Sequence, residues 1–143
     1  MSEFKRLRRK EKLEMKKEAR ECVEINGKRI EMKEDSSLYL REKGIRRISD
    51  IKGLEDLTNL KELNLSANNI GWIEGLENLP NLERLILSQN QISKIKGLDD
   101  LTNLKELRLG RNQITEIRGL NSLSNLETLY LYENQIIDLK GLE

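Results

Sequence analysis

Residues 53–140 fall into four blocks in register: GLEDLTNLKELNLSANNIGWIE (53–74), GLENLPNLERLILSQNQISKIK (75–96), GLDDLTNLKELRLGRNQITEIR (97–118) and GLNSLSNLETLYLYENQIIDLK (119–140). GLE at 141–143 opens a fifth, and no insertion or deletion interrupts the 22-residue period. A fixed period of this length marks a solenoid, whose units bury their apolar edges only by stacking on one another.

Seven positions of the block are apolar in all four repeats; in the first they are Leu54, Leu57, Leu60, Leu63, Leu65, Ile70 and Ile73. Leu63 and Leu65 stand two apart, a spacing that puts both on the inward side of one short strand and turns their neighbours outward. Each buried side chain contributes about 1.5–3 kcal/mol, so Leu→Ala in a middle repeat is expected to cost about 2–5 kcal/mol. One polar position is equally constant: Asn68, Asn90, Asn112 and Asn134 follow the strand where the chain must turn. An amide there offers two donors and an acceptor to backbone groups that no strand ladder satisfies, which is a structural role. Gly53, Gly75, Gly97, Gly119 and Gly141 begin the blocks at a bend that favours glycine. Thr58, Pro80, Thr102 and Ser124, each before Asn-Leu, suit the start of a short helical turn.

The pattern L-x-x-L-x-L-x-x-N-x-I-x-x-I-x-G-L resembles the leucine-rich repeat family. Within it, the chain is similar to the 22-residue subclass of the nuclear regulatory subunit of protein phosphatase one, a spliceosomal leucine-rich protein and an axonemal dynein light chain. Four blocks of 22 cover 88 of the 143 residues. Bacterial internalins share the period but are exported, and this chain shows no signal peptide. The resemblance implies a right-handed α/β solenoid with a parallel sheet on the concave side and short 3-10 or irregular turns on the convex side. It also implies a noncatalytic role in binding a protein partner, without naming that partner.

Composition bounds the alternatives. Charged residues make up 36% and aromatics 3% of the chain, a disorder-prone balance that the leucine periodicity overrides. The net charge is +1, yet residues 1–20 hold nine Lys or Arg against four Glu, so this end carries +5 and the remainder −4. With one cysteine, Cys22, and no histidine, an intramolecular disulfide and a Cys/His zinc site are excluded. No metal or cofactor is expected. No apolar run approaches a membrane span, and a cytoplasmic or nuclear, not secreted, protein is the expectation.

The flanks divide as a basic helical arm (1–21), a β-hairpin cap (22–36) and a degenerate first repeat (37–52), before the four repeats and the start of a fifth (53–143). The arm lacks glycine and proline and predicts a helix over about 3–20. Lys5, Arg6, Arg8, Arg9, Lys10 and Lys12 could contact RNA phosphates or acidic lipid headgroups; the plainer reading is a solvated tail. Asn26-Gly27 reads as a two-residue type I′ turn pairing Val23 with Ile30, Ile25 with Lys28 and Glu24 with Arg29. Docking Val23, Ile25, Ile30 and Met32 over the first coil would cover its open end. In 37–52, Leu38 and Leu40 match the strand pair and Ile48 and Ile51 the isoleucine rows, with Ile45 extra. Five parallel strands are expected near 38–41, 62–66, 84–88, 106–110 and 128–132. No capping helix follows Lys140, so an end-to-end homodimer through the last coil or a longer array is expected, as is the option of a designed or excised repeat array without its own partner.

The candidate site emerges by subtraction of the buried rows. Outward positions form three rows across the sheet: Ser37, Glu62, Arg84, Glu106 and Thr128; Tyr39, Asn64, Ile86, Arg108 and Tyr130; and Arg41, Ser66, Ser88, Gly110 and Tyr132. All three tyrosines of the chain fall here, and tyrosine and arginine are enriched at binding hot spots. The candidate protein-binding residues are Tyr39, Arg41, Asn64, Arg84, Ile86, Arg108, Arg111, Tyr130 and Tyr132. Alternatively the tyrosines merely favour strands. Trp72 occupies a position held by Lys94, Glu116 and Asp138 elsewhere, as a second contact or lying flat on its loop. Asp99-Asp100 belongs to a solvated face, and no catalytic base, nucleophile and oxyanion hole gather anywhere.

Overall fold

The computed structural model describes residues 2–139, the side chains of 16–20 excepted. Helix α1 (Glu3–Arg20) leads into the hairpin β1 (Cys22–Ile25) and β2 (Lys28–Glu31). Five strands follow, β3 (Ser37–Tyr39), β4 (Glu62–Asn64), β5 (Arg84–Ile86), β6 (Glu106–Arg108) and β7 (Thr128–Tyr130), forming one parallel sheet in chain order. Each strand pairs with the next at equivalent repeat positions, so Leu63 faces Leu85, Leu85 faces Leu107 and Leu107 faces Leu129.

The strands are shorter than the leucine spacing predicts. The backbone ladder nevertheless runs on past them, with the Leu65 N–H donating to the Ile86 carbonyl at 2.8 Å and the Ala67 N–H to that of Ser88 at 3.0 Å. Ladder bonding stops where the chain turns into the left-handed region at Ala67, Gln89, Arg111 and Glu133, with φ between 52° and 59°. A turn this tight at a non-glycine residue is what the asparagine row supports. Asn90 donates to the carbonyls of Leu65 and Leu87 and accepts the Ile70 N–H, each at 3.0 Å, so one side chain satisfies two successive coils. Asn112 and Asn134 repeat the arrangement. At the first coil, Asn68 accepts the N–H groups of Lys43 and Ile45 in the longer loop of the degenerate repeat.

The inward leucines and isoleucines of the middle coils form a single sealed core, with Leu63, Leu65, Leu85, Leu87, Leu107 and Leu109 fully buried. Their partners in the last described coil, Leu129, Leu131 and Ile136, are half-buried, and Ile137 and Leu139 are exposed. The hairpin forms in the expected register around Asn26 and Gly27, both at positive φ, and buries Val23 and Ile25. An unexpected antiparallel bridge fixes it: Glu24 and Lys52 exchange backbone hydrogen bonds of 2.9 and 3.1 Å.

On the convex side Thr58, Pro80, Thr102 and Ser124 each begin a single turn, closed by the N–H groups of Leu60, Leu82, Leu104 and Leu126 on the carbonyls of Leu57, Leu79, Leu101 and Leu123. The 3-10 turn of the first full repeat occupies Leu54–Asp56, before Thr58, because Gly53 at φ 85° bends the chain there. The position after Thr58 links successive coils: Asn81 donates to the Thr58 carbonyl at 2.8 Å, Asn103 to that of Pro80 at 2.8 Å and Asn125 to that of Thr102 at 2.6 Å. These form a second, exposed asparagine ladder.

Candidate functional site

The outward, concave face of the sheet is built by strand register. Because the ladder pairs equivalent positions, Tyr39, Asn64, Ile86, Arg108 and Tyr130 stand in a row across all five strands. Their side chains differ in freedom. Tyr39 and Tyr130 are exposed, Ile86 and Arg108 half-exposed. Asn64 is turned onto its own strand end, its carboxamide oxygen accepting the Ser66 N–H at 3.0 Å and the Ser66 hydroxyl at 2.6 Å.

The row before it alternates in charge. Arg84 donates to Glu62 at 3.0 Å and to Glu106 at 3.1 Å, and Arg108 donates to Glu106. Glu106 foremost, and then Glu62, raises the Arg84 pKa above its ordinary value. At the two ends the lattice meets tyrosines: the Tyr39 hydroxyl donates to Glu62 at 3.2 Å, and the Arg108 guanidinium lies 5.0 Å from the Tyr130 ring centroid. Each exposed pair is worth little by itself, but a network that shares its arginines holds their side chains in place. Glu62 and Glu106 were not singled out from sequence, although the alternation Glu62, Arg84, Glu106 is readable once the repeats are aligned.

The third row is mostly not a surface. Ser66, Ser88 and Gly110 are buried, because Tyr132 covers Gly110 and the serines sit under the turn. Arg41 is exposed and pairs with Glu42 at 3.2 Å. Arg111 lies on the turn beyond the strand, pairing with Glu133 at 2.8 Å, which raises its pKa. Thus Tyr130, Tyr132, Arg108 and Ile86 are brought together on neighbouring strands, while Tyr39 and Arg41 stand at the opposite edge. Tyr132 is 52% and Tyr130 41% exposed, and among the described residues neither hydroxyl has a hydrogen-bond partner.

Trp72 sits on the flank in a small polar cluster. Ser49 donates to the Glu74 carboxylate at 2.9 Å, Arg47 lies 3.8 Å from the same carboxylate, and the Arg47 guanidinium lies 5.6 Å from the centroid of the Trp72 ring. The hydrogen bond from Trp72, then those from Ser49 and the charge of Arg47, hold the Glu74 pKa below the ordinary carboxylate value. Among the described residues no group of three His, Cys, Asp or Glu could hold a metal ion, and no helix is long and apolar enough to cross a membrane.

A parallel-strand repeat coil with a sealed spine and an aromatic, arginine-bearing outer wall defines a scaffold class, and comparison with known proteins specifies it. Residues 36–92 match a family model described as leucine rich repeat, and residues 80–115 and 102–143 match one described as leucine rich repeats in two copies. The chain belongs to the leucine-rich repeat family, whose members generally mediate protein–protein interaction. Among solved structures it is similar to the internalin inlF of Listeria monocytogenes, at 33% identity and a TM-score of 0.65, over 74% of this chain and 31% of that one. It is similar also to internalin C2 of the same organism, at 36% identity and a TM-score of 0.66, over 74% of this chain and 46% of that one. The chain therefore spans less than half the length of either internalin. No curated protein sequence matches it.

Proposed function

We propose that the chain is a noncatalytic interaction module that binds a protein partner on its concave sheet, centred on Tyr130, Tyr132, Arg108 and Ile86. One observation carries this reading: the two tyrosines stand exposed beside an arginine already ordered by Glu106, on a wall whose inward strand rows are already filled by leucine. Aromatic and arginine side chains held in place before association lose little rotamer freedom on binding. The sheet behind them is locked by backbone and asparagine ladders, so the face binds without large rearrangement. The likeness in repeat length to the regulatory subunit of protein phosphatase one is consistent with the same reading.

The test is quantitative affinity capture with the intact chain against the Tyr130→Ala/Arg108→Ala variant. A specific partner should lose about tenfold or more in recovery, as expected for removal of two anchors worth about 1 kcal/mol or more each, while the melting temperature stays nearly unchanged. Equal recovery of every captured protein would overturn the assignment.

A further inference from the structure

Helix α1 sorts its charges by face. At about 100° per residue, Lys5, Arg9 and Lys12 fall in one line and Arg6 and Lys10 in the next, within roughly 160° of the circumference. Glu3, Glu11 and Glu14 fall on the other side, together with Phe4, Leu7 and Met15, while Leu13 stands among the cations between Arg9 and Arg6, and all these side chains are exposed. Arg8 leaves the basic side, its guanidinium 5.1 Å from the centroid of the Phe4 ring. Among the described residues none of the five aligned cations makes an ion pair. Like charges at i, i+4 repel, as Lys5 and Arg9 or Arg6 and Lys10 do, and a polyanion laid along them relieves that cost.

We propose that this face of α1 binds the phosphodiester backbone of double-stranded nucleic acid. Three features select that partner. A membrane-binding helix sets its cations around a continuous apolar face, whereas here Leu13 stands alone among the cations and Phe4, Leu7 and Met15 share their side with three glutamates, whose carboxylates an anionic bilayer would repel. Single strands are held by bases stacked on aromatic side chains, and the basic face carries none. From Lys5 to Lys12 the five cations span roughly 11 Å of helix axis, about a third of one duplex turn of about 34 Å, so the two rows can meet a short run of phosphates on one rim without entering a groove. Contacts of this kind fix position and contribute affinity, not base sequence.

The test is fluorescence anisotropy of the intact chain with DNA and RNA duplexes of about 20 base pairs, titrated from about 50 to 200 mM salt. Saturable binding should weaken steeply with salt, with a log–log slope near about −4.5 for DNA if all five cations meet phosphates. Arg9→Gln and Lys12→Gln, which preserve helix propensity, should each reduce that slope by about 1. Glu14→Gln on the far side and the concave Tyr130→Ala/Arg108→Ala variant should leave it unchanged, so failure here is separable from failure of the concave assignment. Circular dichroism checks that the variants keep their helix. Absence of salt-dependent binding to either duplex, tighter binding to a single strand, or binding only to phosphatidylserine vesicles would overturn the proposal.

Discussion

Tyr132 lies with its ring on Gly110, so close that the glycine has no room for a β-carbon. Position 110 belongs to the outward row of the strand, where the other full repeats carry Ser66 and Ser88. The missing side chain is therefore what lets the tyrosine lie flat beside Tyr130. Gly110→Ala should lift the ring and weaken concave-face binding, while stability changes by no more than about 1 kcal/mol, because the obstructing ring is exposed and can move. Aromatic NMR shifts of Tyr132 read the displacement. An unchanged ring environment would contradict the packing described.

Ala67 adopts φ 54°, a conformation that costs an L-residue roughly 1–2 kcal/mol. Ala67→Gly should stabilise the protein by about 0.5–1 kcal/mol despite the added entropy of the unfolded chain. Urea denaturation decides it; destabilisation would show that the turn is not strained.

The asparagine ladder should be graded along the coil. Asn90 is buried, and Asn90→Ala strands an N–H and two carbonyls, a loss of about 2–4 kcal/mol. Asn134 makes the same kind of bonds half-exposed, where water can replace them, so Asn134→Ala should cost about 1 kcal/mol. Chemical denaturation of the two variants gives the comparison, and equal losses would remove the ladder from the account.

Glu74 supplies a pH dependence of known sign. Its folded pKa is depressed, first by the Trp72 hydrogen bond and then by Ser49 and Arg47, below the ordinary value of 4.5. The stabilisation is present above pH 4.5 and is lost as pH falls through the lower folded value. Glu74→Gln should flatten that part of the acid limb, followed by denaturation at stepped pH with Trp72 fluorescence. An identical acid limb in the variant would show that the cluster is not formed in solution.

Much of this was legible in the residues because a solenoid repeats its physics. The inward pair Leu63 and Leu65, the buried role of Asn68 and the partners Val23 and Ile30 each follow from a local spacing. What escaped depends on relations between coils or between the hairpin and the coil. The Glu24–Lys52 bridge joins residues far apart in sequence, and the flanking Asn81–Thr58 bond is visible only when one coil is set on another. The site was legible as rows but not as freedoms. Spacing alone assigns Asn64, Ser66 and Tyr130 alike to the outward face, whereas the hydroxyl and amide of Ser66 and Asn64 satisfy each other and Tyr130 stands exposed.

Photocrosslinking tests the central claim most directly. A benzophenone side chain placed at Tyr130 on the concave wall, and in a parallel variant at Glu77 on the convex side, should give a specific protein adduct at position 130 and none at 77. Adducts formed equally at both positions, or only at 77, would contradict a concave binding face.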